Sequence, residues 1–255
     1  MKRIQALSSG LIIKQDFGDA VRATFYQTEY EEFLYATNGG TLFLVSFRGR
    51  VYGLTCKHVI GDFEPGKLFI TQQKYATKGS KPAPIVGLAL PSASTGEAVG
   101  TDVEDICAVE FAGDIAPDFF AHTPYIIDEK TVCTSKVGHE LHVAGVLKGK
   151  TQIIPPDITM GFCHLVLHDT GVSTFDPFLR QAKAVFLDPS FDNIVGISGS
   201  PVFDQTANAL CGMVNRGGMA GGMCTIHYID IFDIMKVLEA LSTRAASASY
   251  TKILR

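Results

Sequence analysis

Apolar residues in this chain come in short runs separated by Gly, Pro, Asn and charged residues, and sustained helical spacing is confined to the end. Thr41 to Phe47 and Val51 to Cys56 flank Arg48-Gly49-Arg50, which predicts a hairpin. Leu68 to Thr71, Ile85 to Leu90 and Ile106 to Phe111 continue the first half as strands. Leu141 to Val146, Thr151 to Ile154, Cys163 to His168 and Ala182 to Phe186 open the second half. Val202-Phe203, Leu210 to Val214 and Thr225 to Ile229 complete it. Short strands at such intervals, without helices between them, predict barrels or sandwiches. Near Asp230 the period changes: Ile231, Ile234, Met235, Leu238 and Leu241 recur at helical spacing behind a capping Asp230. This predicts a C-terminal helix over 230–243, packed on the second half. At the other end, Ile4 to Ile13 is broken by Gln5, Ser8 and Ser9, which reads as a first strand rather than a signal peptide.

Composition narrows the functional classes. The 255 residues carry a net charge of −4, against a broad nucleic-acid-binding face. No stretch reaches the length of a membrane span. The six cysteines sit mostly inside apolar runs, as small hydrophobes do, so reduced thiols and a cytoplasmic setting are expected. No CxxC pair occurs, and His139-Glu140-Leu141-His142 has no evident further ligand, so neither a metal site nor a cofactor is expected. The Gly-rich segment from Arg216 to Gly222 lacks the Gly-Lys-Ser/Thr of a phosphate loop.

Candidate chemistry concentrates in three places. Gly196-Ile197-Ser198-Gly199-Ser200-Pro201 sets a serine on a tight turn, where the Gly196 and Ser198 amides are suited to hold an oxyanion. A serine hydroxyl needs a base, and the base needs an orienting acid. Val51 to Ile60 is a strand-like run that delivers His58 near its end. Glu104-Asp105-Ile106 places acids at the mouth of another strand; Asp102 and Glu104 are alternatives to Asp105.

These segments together resemble the chymotrypsin-fold, trypsin-like serine peptidases. Thr55-Cys56-Lys57-His58 resembles that family's histidine element, and Asp105-Ile106-Cys107-Ala108 its aspartate element. Gly196 to Pro201 resembles its serine loop, in the G-x-S-G-S-P form of bacterial and viral branches. Gly39-Gly40-Thr41-Leu42, Leu210 to Val214 and Gly222 to Thr225 match flanking strands, in the chain order His, Asp, Ser. The resemblance implies an all-β protein of two six-stranded antiparallel barrels with a C-terminal helix. Residues 1–128 would carry His58 and Asp105, and residues 129–255 would carry Ser198. It implies a serine endopeptidase acting on polypeptides through His58, Asp105 and Ser198, with Gly196 and Ser198 as oxyanion donors. Asp192 would stand at the floor of the specificity pocket, favouring Lys or Arg, and Asn215, Gly217 and Gly222 would line the substrate path.

Two departures stand out. Ile197 occupies the position where peptidases activated by cleavage carry an aspartate, and no I-V-G-G segment is present, so activation by that ion pair is not expected. The loop near Asp192 also lacks the family's cysteine. A second functional class is therefore an idle or regulated protease-like domain that binds protein partners. An α/β-hydrolase esterase fits poorly, because its G-x-S-x-G pattern fails at Ser200.

Overall fold

The computed structural model describes residues 17–31, 35–75, 80–90, 103–112, 117–120, 123–154, 157–184 and 193–246. Seven strands come first: β1 (Val21–Gln27), β2 (Tyr35–Phe47), β3 (Arg50–Cys56), β4 (Leu68–Thr71), β5 (Pro82–Ala89), β6 (Ile106–Phe111) and β7 (Tyr125–Ile126). They run in the order β1-β4-β5-β6-β3-β2, and β2 pairs back onto β1, which closes a six-stranded barrel. The short β7 adds to β2 in parallel. Eight follow: β8 (Glu140–Val146), β9 (Gln152–Ile154), β10 (Asp157–Thr159), β11 (Phe162–Val172), β12 (Arg180–Ala184), β13 (Pro201–Asp204), β14 (Ala209–Ala220) and β15 (Met223–Asp230). Strands β11-β12-β15-β14-β13-β8 close a second barrel, and β9 and β10 pair with each other.

Alternation explains the second barrel. Along β11, Cys163, Leu165, Leu167 and Asp169 are buried while His164, Val166, His168 and Thr170 are exposed. A carboxylate in an inward row needs partners. Asp169 has them: Arg180 Nη2 donates to both of its oxygens at 2.9 Å, and the Tyr228 hydroxyl donates to Oδ2.

Strand β1 was not expected, because Val21-Arg22-Ala23-Thr24-Phe25 carries an arginine where an apolar residue would sit. Arg22 is fully buried. Its guanidinium donates to the carbonyls of Thr71 (3.1 Å) and Gln72 (3.0 Å) and to Thr123 Oγ1 (2.8 Å). Burial lowers its pKa to about 10, with Asp19 acting in the opposite direction. The first strand expected over residues 4–13 lies outside the described residues.

The C-terminal helix, Ile231–Ala246, runs slightly longer than its apolar spacing predicts. Its placement also differs. Ile231, Ile234, Leu238 and Leu241 join the apolar cluster that contains Leu42, Leu54 and Val109 of the first barrel. Arg48, in the β2–β3 turn, reaches Glu239 (3.6 Å) and Ser242 (3.2 Å). The helix therefore packs on both barrels rather than on the second alone. None of the described helices is long and apolar enough to cross a membrane.

Candidate active site

Strand register brings the acid to the base. Cys56 at the end of β3 pairs with Ile106 at the start of β6, so the next residues outward leave the first barrel at one rim. Beyond Cys56 the chain turns helically through Lys57–Ile60. This turn aims both the backbone and the ring of His58 at Asp105. The His58 amide donates to Asp105 Oδ1 at 2.9 Å, and Nδ1 lies 2.6 Å from Oδ2. Asp105 is largely shielded while His58 is 52% exposed on its side chain, so the ring remains reachable. Glu104 takes no part in these contacts, and Asp102 lies outside the described residues.

The second barrel contributes the third partner of Asp105. The β14–β15 ladder slips between Val214 and Arg216, leaving Asn215 as an extra residue. Such a bulge re-aims a side chain. Asn215, fully buried, donates from Nδ2 to Asp105 Oδ2 at 2.8 Å. The resemblance places the backbone of Asn215 on the substrate path; its side-chain amide faces the carboxylate. With two donors on Oδ2 and one on Oδ1, Asp105 holds a fixed orientation.

Ser198 reaches this rim on a loop anchored from both sides. Ile194 and Ile197 are buried in the second-barrel core, which anchors the loop from that side. The Gly199 amide donates to Val214 O at 2.8 Å, and the Cys56 thiol donates to the same carbonyl at 3.2 Å. The loop thereby leans on the strand end that carries His58. Thr41, fully buried on β2, ties the loop further. Its amide donates to Ser198 O (3.1 Å), its hydroxyl donates to Gly196 O (2.8 Å), and that hydroxyl accepts from Val146 N (2.8 Å). The Gly39-Gly40-Thr41-Leu42 resemblance marks a strand ahead of the histidine, and nothing in the sequence marks Thr41 as a bridge between barrels.

Backbone geometry requires the two glycines of this loop. Gly196 has φ +107° and Gly199 has φ +86°. A Cβ at Gly199 would stand 2.0 Å from Thr41 O, and one at Gly196 would stand 2.5 Å from Val146 O. Among the described residues, the loop bonds leave the Gly196 and Ser198 amides uncommitted. Ser198 is half-buried and makes no hydrogen bond to His58 among the described contacts. Ser200, the other serine of the loop, is fully buried and is thereby excluded as an accessible nucleophile.

Cys56, His58 and Asp105 bring potential metal-ligand atoms within 4.8 Å of one another. Burial, and then the charge of Asp105, push the Cys56 thiol well above its usual range. The protonated thiol donates to Val214 O. All six cysteines are free thiols.

The expected substrate path is reached only in part. Gly217 pairs with Ile226 across the hairpin, and a Cβ there would lie 3.0 Å from the Thr225 carbonyl oxygen and 3.1 Å from side-chain carbons of Ile194 and Ile226, so its inner side is closely packed. Gly222 occupies the exposed turn beyond the last pair, Ala220 with Met223, and does not join Gly217 in a pocket wall. Asp192 lies outside the described residues. A cavity of about 340 Å³, open to solvent, runs along the hairpin beside Arg216, Met219, Thr225 and His227. Arg216 stacks over Phe175 at 4.7 Å and donates to Asn215 Oδ1 at 2.9 Å, which links this cavity to the acid–base pair. Burial, followed by Arg216 and Lys183, lowers the His227 pKa.

No family profile matches the chain, and no curated protein resembles it in sequence. Solved structures do resemble it. A thermostable serine protease from an extremophilic microorganism superposes with TM-score 0.56 at 12% identity, over 89% of this chain and 98% of that one. An inactivated protease paralogue of the scabies mite gives TM-score 0.54 at 14% identity, over 91% and 98%. Neuropsin, a serine protease expressed in the limbic system of mouse brain, gives 0.56 at 11% identity, over 88% and 95%. The fold is that of the chymotrypsin-like serine proteases.

Proposed function

We propose that this protein is a serine endopeptidase that cleaves polypeptides through an acyl-enzyme formed on Ser198. The observation that carries the proposal is the chain of contacts Asn215–Asp105–His58, placed on the rim where the Ser198 loop is anchored. In this reading Asp105 holds the Nδ1–H tautomer, so that Nε2 takes the proton of Ser198 and returns it to the leaving amine. The uncommitted amides of Gly196 and Ser198 are the oxyanion donors. Losing one such donor costs about 2.7–4 kcal/mol of transition-state stabilisation. The apolar anchoring of Ile197 supports a loop formed without the activating ion pair. Free, mostly buried cysteines fit a reducing, cytoplasmic setting.

A second reading is supported by one comparison: the scabies-mite relative is an inactivated protease. An idle domain binding a protein partner would share this fold. The complete set of serine, histidine and aspartate favours activity.

For the residue before the scissile bond, the place of Asp192 in the family resemblance supports Lys or Arg, because a carboxylate at that position would make charge-assisted hydrogen bonds. The described cavity, with Arg216 on its wall, supports an acidic side chain at a neighbouring substrate position. A peptide-library cleavage profile separates the two contributions. Asp192→Ala is expected to abolish cleavage after Lys and Arg while Ser198 still reacts with a fluorophosphonate. A profile unchanged by Asp192→Ala would remove that residue from specificity.

A further inference from the structure

Four of the seven histidines fall between residues 139 and 168. From sequence alone His139-Glu140-Leu141-His142 has no additional ligand; the fold supplies one. In the β8–β11 ladder His142 lies opposite Val166 and His164 opposite Ala144. Their imidazoles are diagonal neighbours on the outer face of the second barrel. His164 Nε2 stands 3.0 Å from His142 Nδ1, with ring centroids 4.8 Å apart. On the far side of the same ring, His142 Nε2 lies 2.9 Å from Glu140 Oε1.

This order of groups has a chemical meaning. Glu140 accepts the Nε2 proton of His142, which leaves the Nδ1 lone pair directed at His164. A carboxylate behind one imidazole nitrogen is the arrangement that orients a metal-ligating histidine. The His142 side chain is 19% exposed and His164 lies at the surface, so an ion has access from solvent. We propose that His142 Nδ1 and His164 Nε2 chelate one divalent transition-metal ion, with Cu²⁺ preferred, and that Glu140 positions His142 for it. With metal–nitrogen bonds of about 2.1 Å, nitrogens 3.0 Å apart subtend about 90° at the ion. That angle suits adjacent positions of a tetragonal Cu²⁺ complex better than a tetrahedral Zn²⁺ site, and Cu²⁺ leads the divalent affinity order. On binding, the His164 proton moves from Nε2 to Nδ1, so both ligands remain neutral imidazoles. Water completes the coordination.

The site also touches the scaffold of the nucleophile loop. His142 is paired with Phe203 of β13, the strand that follows Ser198, and Phe203 stacks on Phe17 at 4.9 Å. An ion that binds only the folded barrel raises its thermal midpoint.

Isothermal titration and electron paramagnetic resonance on the untagged chain test the site with Cu²⁺ and Zn²⁺. The expected result is one Cu²⁺ per chain, bound more tightly than Zn²⁺, with splitting from two imidazole nitrogens. His142→Ala and His164→Asn are each expected to weaken it by about tenfold or more, and Glu140→Gln by roughly tenfold. His58→Ala should leave it intact. His164→Asn changes a surface residue, and circular dichroism confirms that each variant is folded. Absence of Cu²⁺ binding, or binding that survives both histidine substitutions, would overturn the proposal. Loss of binding in His58→Ala would move the ion to the acid–base pair and overturn it equally.

Discussion

Replacing Asp105 by Asn is expected to lower kcat by about 10⁴-fold while the protein stays folded. The carbonyl of the new side chain would still accept the His58 amide at the Oδ1 position. The oxygen that serves both His58 Nδ1 and Asn215 Nδ2 would become an NH₂ group. An NH₂ donates, so it opposes the Asn215 amide and forces His58 to accept at Nδ1. The ring proton then sits on Nε2, where it cannot take the proton of Ser198. Peptide turnover measured beside an unfolding curve checks this. Turnover within tenfold of wild type, in a folded variant, would remove Asp105 from the acid–base pair.

Arg180→Met is expected to destabilise the second barrel by about 3 kcal/mol, the lower end of the range for breaking a buried pair. Asp169 is fully shielded on the inward row of β11, and Arg180 retains 17% exposure. Burial opposes the guanidinium charge, and its hydrogen bonds to Tyr228 and Asp169 outweigh burial and raise its pKa above the usual arginine range. Burial also raises the Tyr228 pKa, so its hydroxyl stays protonated and donates to Asp169. Removing Arg180 leaves a carboxylate with a single side-chain partner in an apolar interior. The companion Asp169→Leu/Arg180→Met should recover much of the loss, because no unpaired charge remains. Chemical denaturation measures both. A loss below 1 kcal/mol in Arg180→Met would show that water already compensates Asp169.

Much of the barrel was legible because strand runs with short turns need only local signals. β4 and β6 begin and end where their apolar runs do. The strand β1 was hidden by Arg22, whose burial depends on carbonyls from β4 and beyond that no local pattern reveals. His58, Asp105 and Ser198 stood out by order and residue type. The contact of Asn215 with Asp105 did not, since it depends on a bulge that turns its side-chain amide toward the carboxylate. Gly222 matched a pocket glycine by local pattern, yet the length of the hairpin carries it to the exposed turn. The His142–His164 contact was invisible for a related reason: 22 residues separate the partners, and only strand register joins them. Helical spacing announced the C-terminal helix, whereas its position across both barrels follows from long-range packing on β6 as well as on β14 and β15.

The central claim is that Ser198 is an activated nucleophile served by His58. Intact-mass analysis after incubation with a fluorophosphonate tests it most directly, with Ser198→Ala and His58→Ala alongside. The expected result is one adduct per wild-type chain, located on Ser198 and absent from both variants. A folded wild-type chain that takes up no adduct, or labelling that persists in Ser198→Ala, would contradict the claim.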